Sequence, residues 1–257
     1  MQNQLIFNFT THISEKAIPD ELNNPFGLVI PEVARIAAKE FQEFIASEAL
    51  NWEYDFTTQR GKMFGVLVVQ KPDKSFGYLG TMSGTFPRNK TCERFVPSVF
   101  DEATDDFFIN KGMTELAEMG KAIKMAAKPT EINKLTEARK QKSFALQQRL
   151  FENYEFTTAE GNKKKVLQIF TDSAHGNPPA AAGECAAPKL LQYAFSHQLT
   201  PIAIAEFWWG NPSKNKEREP LGFYPACKNK CRPILEFMLE DDVLFEITNK
   251  LKAEPFD

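Results

Sequence analysis

The chain has no apolar run long enough to span a bilayer. Its start, Met1-Gln2-Asn3-Gln4, lacks the basic region and following apolar stretch of a secretory signal. A cytoplasmic protein with no membrane association is therefore expected. An excess of positive charge is missing as well. Lys and Arg number 31 against 34 Asp and Glu, for a formal net charge of −3. That balance argues against a strongly basic nucleic-acid binder while leaving room for a local basic patch. Cysteine is sparse, with four in 257 residues. In a reducing compartment a few clustered cysteines more often bind metal or do chemistry than form disulfides. No internal repeat is visible.

What is present describes an ordinary globular protein. A chain of 257 residues, 42% hydrophobic and 25% charged, can bury a real core as one large or two small domains. Phenylalanine is abundant, at 23 residues, which predicts a well-packed aromatic core. Residues 1–30 read as irregular, broken by Pro19, Asn23-Asn24 and Pro25. A helix is predicted from Pro31-Glu32, with Val33, Ile36, Ala37, Phe41, Phe44 and Ile45 at helical spacing. Lys62 to Val69 and Phe76 to Met82, joined by Pro72-Asp73-Lys74-Ser75, form the clearest hairpin. Residues 85–112 read as a loop with short elements, and helices are predicted over 113–127 and 130–154, separated by Pro129. The charge run Arg139-Lys140-Gln141-Lys142 reads as the solvated face of a helical arm or, alternatively, as a basic stripe for RNA. A strand pair is expected from Tyr154 to Phe170, with Val166 to Phe170 as the return strand. A helix opens at Gly183-Glu184-Cys185, a strand buried on both faces covers 201–209, and the last helices run through residues 234–239 and 243–247.

Three cysteines stand at the openings of those later helices. Cys185 lies 42 positions before Cys227, and Cys227 and Cys231 are four apart (227 − 185; 231 − 227). On a helix that spacing puts both sulfurs on one face, and helix N-termini favour thiolate. A helix–strand–helix crossover brings the two openings side by side at one end of a parallel strand pair. The three thiols then hold one zinc ion, with a fourth position open to water or closed by His175, His197 or Cys92. The competing reading leaves them as buried, unligated thiols. Cys92 itself reads as an ordinary free thiol.

This order of parts resembles the cytidine-deaminase fold: a hairpin at 62–82, Glu184-Cys185-Ala186-Ala187 opening a helix, the strand 201–209, and Pro225-Ala226-Cys227-Lys228-Asn229-Lys230-Cys231 opening another. The resemblance implies zinc-activated water attacking a base, with a non-ligand glutamate shuttling the proton. The glutamate of that pattern is Ala187 here, and the second cysteine pair is one residue wider. Glu184 is the nearest carboxylate and the candidate general acid/base; it reads equally as a favourable charge at a helix N-terminus.

The phrases Gly61 to Val69, Gly77-Tyr78-Leu79, Phe95 to Asp101, Ala145 to Phe151, Gly183 to Gln192, Ala205 to Gly210 and Phe223 to Leu235 resemble the long N-terminal region of large RluA-type pseudouridine synthases. They span roughly residues 25 to 240. The catalytic aspartate of that family lies in an Arg-Leu-Asp motif, absent here: Arg149-Leu150 is followed by Phe151. The resemblance implies a free-standing accessory region, without synthase catalysis, and a separate pseudouridine synthase as a partner.

The fold expected is α/β: a mixed sheet with flanking helices in a deaminase-like three-layer arrangement, plus a helical arm. Residues 1–112 and 155–257 build one core, and 113–154 form the arm. The function expected is an RNA-modification-associated protein that binds RNA or a nucleotide. Trp208 and Trp209 would stack on bases, and Lys189, Lys214, Lys216, Lys228, Lys230 and Arg232 would contact phosphates. At least one tryptophan is expected in the core instead, since neighbours on a strand face opposite sides. The alternatives are a zinc-dependent deaminase-like enzyme acting on a base or nucleotide, and a structural or partner-binding module.

Overall fold

The computed structural model describes residues 5–49, 51–52, 54–58, 60–84, 92–100, 102–173, 176–213, 215 and 217–239. Its first long element is α1 (Glu32–Glu48). Val33, Ala34, Ala37, Ala38, Phe41 and Ile45 form its buried stripe, and Pro31, with extended ψ, precedes the first turn. Strand β1 (Lys62–Gln70) is buried along almost its whole length, and β2 (Phe76–Met82) pairs with it antiparallel from Phe64↔Met82 to Gln70↔Phe76. The turn between them is held by the Ser75 amide donating to the Asp73 carboxylate at 2.9 Å.

Helices α2 (Glu102–Met125) and α3 (Pro129–Phe151) pack on one another as an antiparallel hairpin. This is the expected arm, although α2 begins inside the stretch read as a loop. Pro129 opens α3 at a position where its missing N–H costs nothing. Only Phe151 of α3 is buried.

A two-stranded ribbon follows, β3 (Glu155–Thr157) with β4 (Lys163–Lys165). The return strand predicted over 166–170 is instead helix α4 (Val166–Asp172). Its buried residues, Val166, Ile169 and Phe170, stand at i, i+3 and i+4. That is helical spacing, and it outweighs the β propensity of Val and Ile.

Helix α5 (Ala186–Ser196), strand β5 (Thr200–Trp209), the two-residue strand β6 (Phe223–Tyr224) and helix α6 (Arg232–Met238) complete the described chain. The second predicted segment, residues 243–247, lies outside the described residues. The main sheet has the order β2-β1-β5-β6. Every pairing in it is antiparallel, so the parallel pair of a mixed sheet is replaced by β5 running against β1 from Lys62↔Trp209 to Gln70↔Thr200. Helices lie on both faces, as a three-layer α/β arrangement requires. α1 covers one face, and α5, with α4 and α6 beside it, covers the other.

Because β6 reaches only Glu206 and Phe207, β5 is left with an edge. Asn23 closes part of it: its side chain accepts from Ile204 N at 2.8 Å and donates to Ile204 O at 3.1 Å. On the α1 face the rings of Phe41, Phe64, Phe95 and Phe207 interlock at centroid distances of 5.3 to 6.5 Å. Gly80 makes that packing feasible, since a Cβ there would stand 2.3 Å from the Phe41 ring.

Candidate functional site

From Ala203 to Phe207 strand β5 alternates between its two faces. Ala203, Ala205 and Phe207 join the α1-side core, whereas Ile204 joins the core under α5. Glu206 points the same way as Ile204 and meets α5. Its Oε1 accepts from Ala187 N at 3.1 Å, in the first turn of that helix. Gly65, directly across the ladder, leaves the space: a Cβ there would lie 2.8 Å from the Ala186 methyl and 3.5 Å from Glu206 Cγ. The carboxyl is 6% exposed. Burial is the main reason its pKa is pushed up to about 7; the Ala187 amide and Arg218 pull the other way, and Cys227 adds to the rise.

The three cysteines assemble beside it. Cys185 is the N-cap of α5 and half-buried. Cys231 is the N-cap of α6 and fully buried. Cys227 is half-buried and precedes the helix: it starts a turn through Lys228, Asn229 and Lys230 that closes with Cys231 N donating to Cys227 O at 3.1 Å. The pair is therefore not on one face of a helix, as the spacing alone predicted, but at the two ends of the turn that leads into one. The preceding residue, Ala226, is fixed to the 22–31 loop by its amide donating to Pro25 O at 2.8 Å.

Cys231 is the common neighbour. Its thiol contacts Cys185 first and Cys227 second, and these contacts, with burial, raise its pKa. The same Cys231 thiol donates toward Cys227 and is the main reason the Cys227 pKa is lowered to about 5, aided by the amides of Lys230 and Asn229 and by the Lys230 ammonium. These are pairwise contacts through Cys231. Among the described residues, no group of three or more His, Cys, Asp or Glu stands so that it could hold a metal ion. The sulfur donors suit zinc in kind, but the side chains as they stand do not form its cage, and no chemical step is derived through a metal.

The remaining candidates fall into separate places. Glu184 accepts from Tyr154 OH and, at 3.0 Å, from Ser98 Oγ, while its carbonyl accepts from Gly84 N at 2.7 Å. Those bonds tie the approach to α5 onto the rest of the fold. His175, Lys214 and Lys216 lie outside the described residues. His197 caps the far end of α5, stacked on Tyr193 with Nδ1 2.8 Å from the Tyr193 carbonyl. Cys92 packs against the α1-side core, where burial raises its pKa. Trp208 is buried, its Nε1 donating to Asn211 O at 2.7 Å, and Trp209 is half-buried against the α1-side core. Lys189 is buried too, its ammonium donating to Gly84 O at 3.1 Å. Arg232 pairs with Glu236 at 2.7 Å and lies over the Phe26 ring. Lys228 is exposed and Lys230 half-buried, both on the turn beside Cys227.

Glu206 is the residue that sequence reasoning passed over. Its signal was plain: a single charge in the run Pro201 to Trp209, otherwise apolar. A narrow cleft between the 22–31 loop and β5–β6 reaches it, lined by Asn23, Pro25, Ala187, Tyr224 and Ala226. A carboxyl that titrates near neutrality beside a thiolate-forming cysteine can give or take a proton where a sulfur nucleophile or soft-metal donor is also at hand. No family model, no curated protein and no solved structure matches the chain. Among the described residues no helix is long and apolar enough to cross a membrane.

Proposed function

We propose that this protein is an RNA-modification-associated module, similar to the N-terminal region of RluA-type pseudouridine synthases, that handles an RNA or nucleotide at the thiol cluster. On this reading zinc is its ion and a pseudouridine synthase its partner. The observation that carries the proposal is the meeting of Cys185, Cys227 and Cys231, drawn from two distant segments to one side of β5 with Cys231 touching both others. Three thiolates are a zinc donor set. To take the ion, the side chains of Cys185 and Cys227 would close around Cys231 from their present pairwise contacts. Lys228 and Lys230, on the turn at Cys227, are the phosphate contacts this reading retains; Trp208 and Lys189 are engaged inside the fold.

Elemental analysis of protein purified under reducing conditions without chelator tests the ion. About one zinc per chain in wild type and its loss in Cys227→Ser is the expected result. Absence of metal from the wild type ends the zinc reading. Fluorescence anisotropy with a labelled single-stranded RNA tests the partner. Lys228→Ala/Lys230→Ala together should weaken binding and flatten its salt dependence.

Glu206 favours a second reading, a deaminase-like hydrolase acting on a base or nucleotide. Its carboxyl hydrogen-bonds the amide of Ala187, the position where the deaminase pattern has its glutamate. Ammonia release from cytidine and adenosine nucleotides, lost in Glu206→Gln and kept in Glu184→Gln, would support it. No release from any base by the zinc-loaded protein removes it.

A further inference from the structure

We infer that Cys227 and Cys231 form a redox-active dithiol that reacts with small anionic disulfides, with Cys227 as the attacking thiol and Cys231 as the resolving one. The inference rests on the thiols alone and does not need zinc. It accounts for what the zinc reading leaves unexplained, a cluster whose members are paired rather than arranged around a vacant centre.

Connectivity comes first. The two cysteines sit at the ends of one i→i+4 turn, closed by Cys231 N donating to Cys227 O at 3.1 Å, and their thiols are in contact. A disulfide needs their Cβ atoms drawn to about 3.5–4.5 Å. Cys227 and the turn residues 228–230 precede α6, so that movement needs no helical hydrogen bond to break.

Access is asymmetric. Cys231 is 0% exposed, while Cys227 is half-buried next to the exposed Lys228. An incoming disulfide therefore meets Cys227 before Cys231. Lys228 and Lys230 flank the same turn, so an oxidised tripeptide disulfide bearing carboxylates is favoured over a neutral one.

The chemistry balances in two exchanges. The Cys227 sulfur, as thiolate, attacks one sulfur of the disulfide; the new S–S bond forms, the old one breaks, and one thiolate leaves. Cys231 then gives up its proton to solvent and attacks the Cys227 sulfur. The mixed disulfide breaks, a second thiolate leaves, and the Cys227–Cys231 bond remains. The protein has lost two electrons and two protons, and the small disulfide has gained them as two thiols. Cys92, half-buried against the other core and far from the turn in sequence, takes no part.

The full-length protein, freed of metal by chelator, is titrated with oxidised glutathione and followed by thiol counting, intact mass and peptide mapping. Wild type is expected to lose two thiols and give a Cys227–Cys231 linked peptide without retained glutathione. Cys231→Ser is expected to stop at a stable glutathione adduct on Cys227, with Cys231→Ala as a second form should serine unsettle the buried position. Cys227→Ser should react at least about tenfold more slowly than wild type. A Cys185–Cys231 link, reaction at Cys92 as fast as at Cys227, or retention of all four thiols overturns the inference. The titration is repeated with zinc added. Slower loss of the same two thiols supports both the dithiol and the zinc reading, whereas an unchanged rate leaves the dithiol standing and counts against zinc.

Discussion

The two faces of the central sheet solve different problems. The α1 face is aromatic. Phe41, Phe56, Phe64, Phe95 and Phe207 interlock there, and the carboxylate of α1, Glu40, reaches the chain start and the Tyr78 side chain. It accepts from Thr10 N and Thr11 N at 3.1 and 2.8 Å and from the Thr10 hydroxyl. The α5 face accepts chemistry into its interior: a carboxyl on the strand itself, three thiols, and a lysine whose ammonium caps a backbone carbonyl. One strand, β5, serves both: Ala203, Ala205 and Phe207 feed the aromatic core, and Ile204 and Glu206 face α5.

The contrast is broken most forcefully from the aromatic side. Phe41 is fully buried at the centre of the ring cluster. Phe41→Ala is expected to cost about 3–5 kcal/mol by chemical denaturation, while the thiol reactivity of whatever remains folded stays that of wild type. Loss of less than about 1 kcal/mol would mean that the rings do not act as one packed unit. Gly65 probes the other side. Its Cβ would collide with the Ala186 methyl, in the turn that positions Cys185 and Glu206. Gly65→Val is expected to cost about 1–3 kcal/mol and, unlike Phe41→Ala, to change the rate at which Cys185 and Cys227 react with a thiol reagent. If that rate is unchanged, the glycine serves stability alone and α5 is not set by it.

The aromatic face was the more legible of the two from sequence. The period of Val33, Ala37, Phe41 and Ile45 announced α1, and the Lys62–Met82 hairpin was read almost to its ends, because both follow local patterns. The strand at 201–209 and the helix behind Cys185 were also evident. The ribbon's return was not, since Val166 to Phe170 is too short to separate β propensity from helical spacing until its neighbours are in place. The all-antiparallel pairing depends on the path from β2 through the arm to α5, which no local pattern encodes. The thiol cluster was visible as three cysteines at element openings, yet its contents were only half read. Glu184, next in sequence to Cys185, is drawn off by Tyr154 and Ser98. Glu206, distant in sequence, is brought in by a ladder register opposite Gly65. Proximity along the chain was a poor guide because the side-chain direction at 206 is fixed by strand alternation, a tertiary fact once the faces are assigned.

The subtlest way to sharpen the comparison uses one carboxylate from each face, because their pKa values move in opposite directions. For Glu40, burial works to raise the value, but the combined hydrogen bonds of Thr10 and Thr11 outweigh it and the carboxyl titrates below its ordinary range. A group depressed in the folded state contributes stability above its unfolded pKa, and that contribution is lost as pH falls through the folded value. Glu40→Gln should therefore weaken the protein at neutral pH by about 1 kcal/mol and flatten the acid limb of its stability curve. For Glu206, burial raises the value to about 7. Between the unfolded value of 4.5 and that point the folded chain holds a proton the unfolded chain has released, so stability falls as pH rises across the window. Glu206→Gln should remove that decline, gaining about 2–3 kcal/mol over wild type at pH 8 relative to pH 5, while leaving the acid limb untouched. Denaturant midpoints from pH 3 to pH 8 for the two variants read both effects at once. Slopes that change in the same direction would show that the two carboxyls share one environment, and the division of labour between the faces would fall with that result.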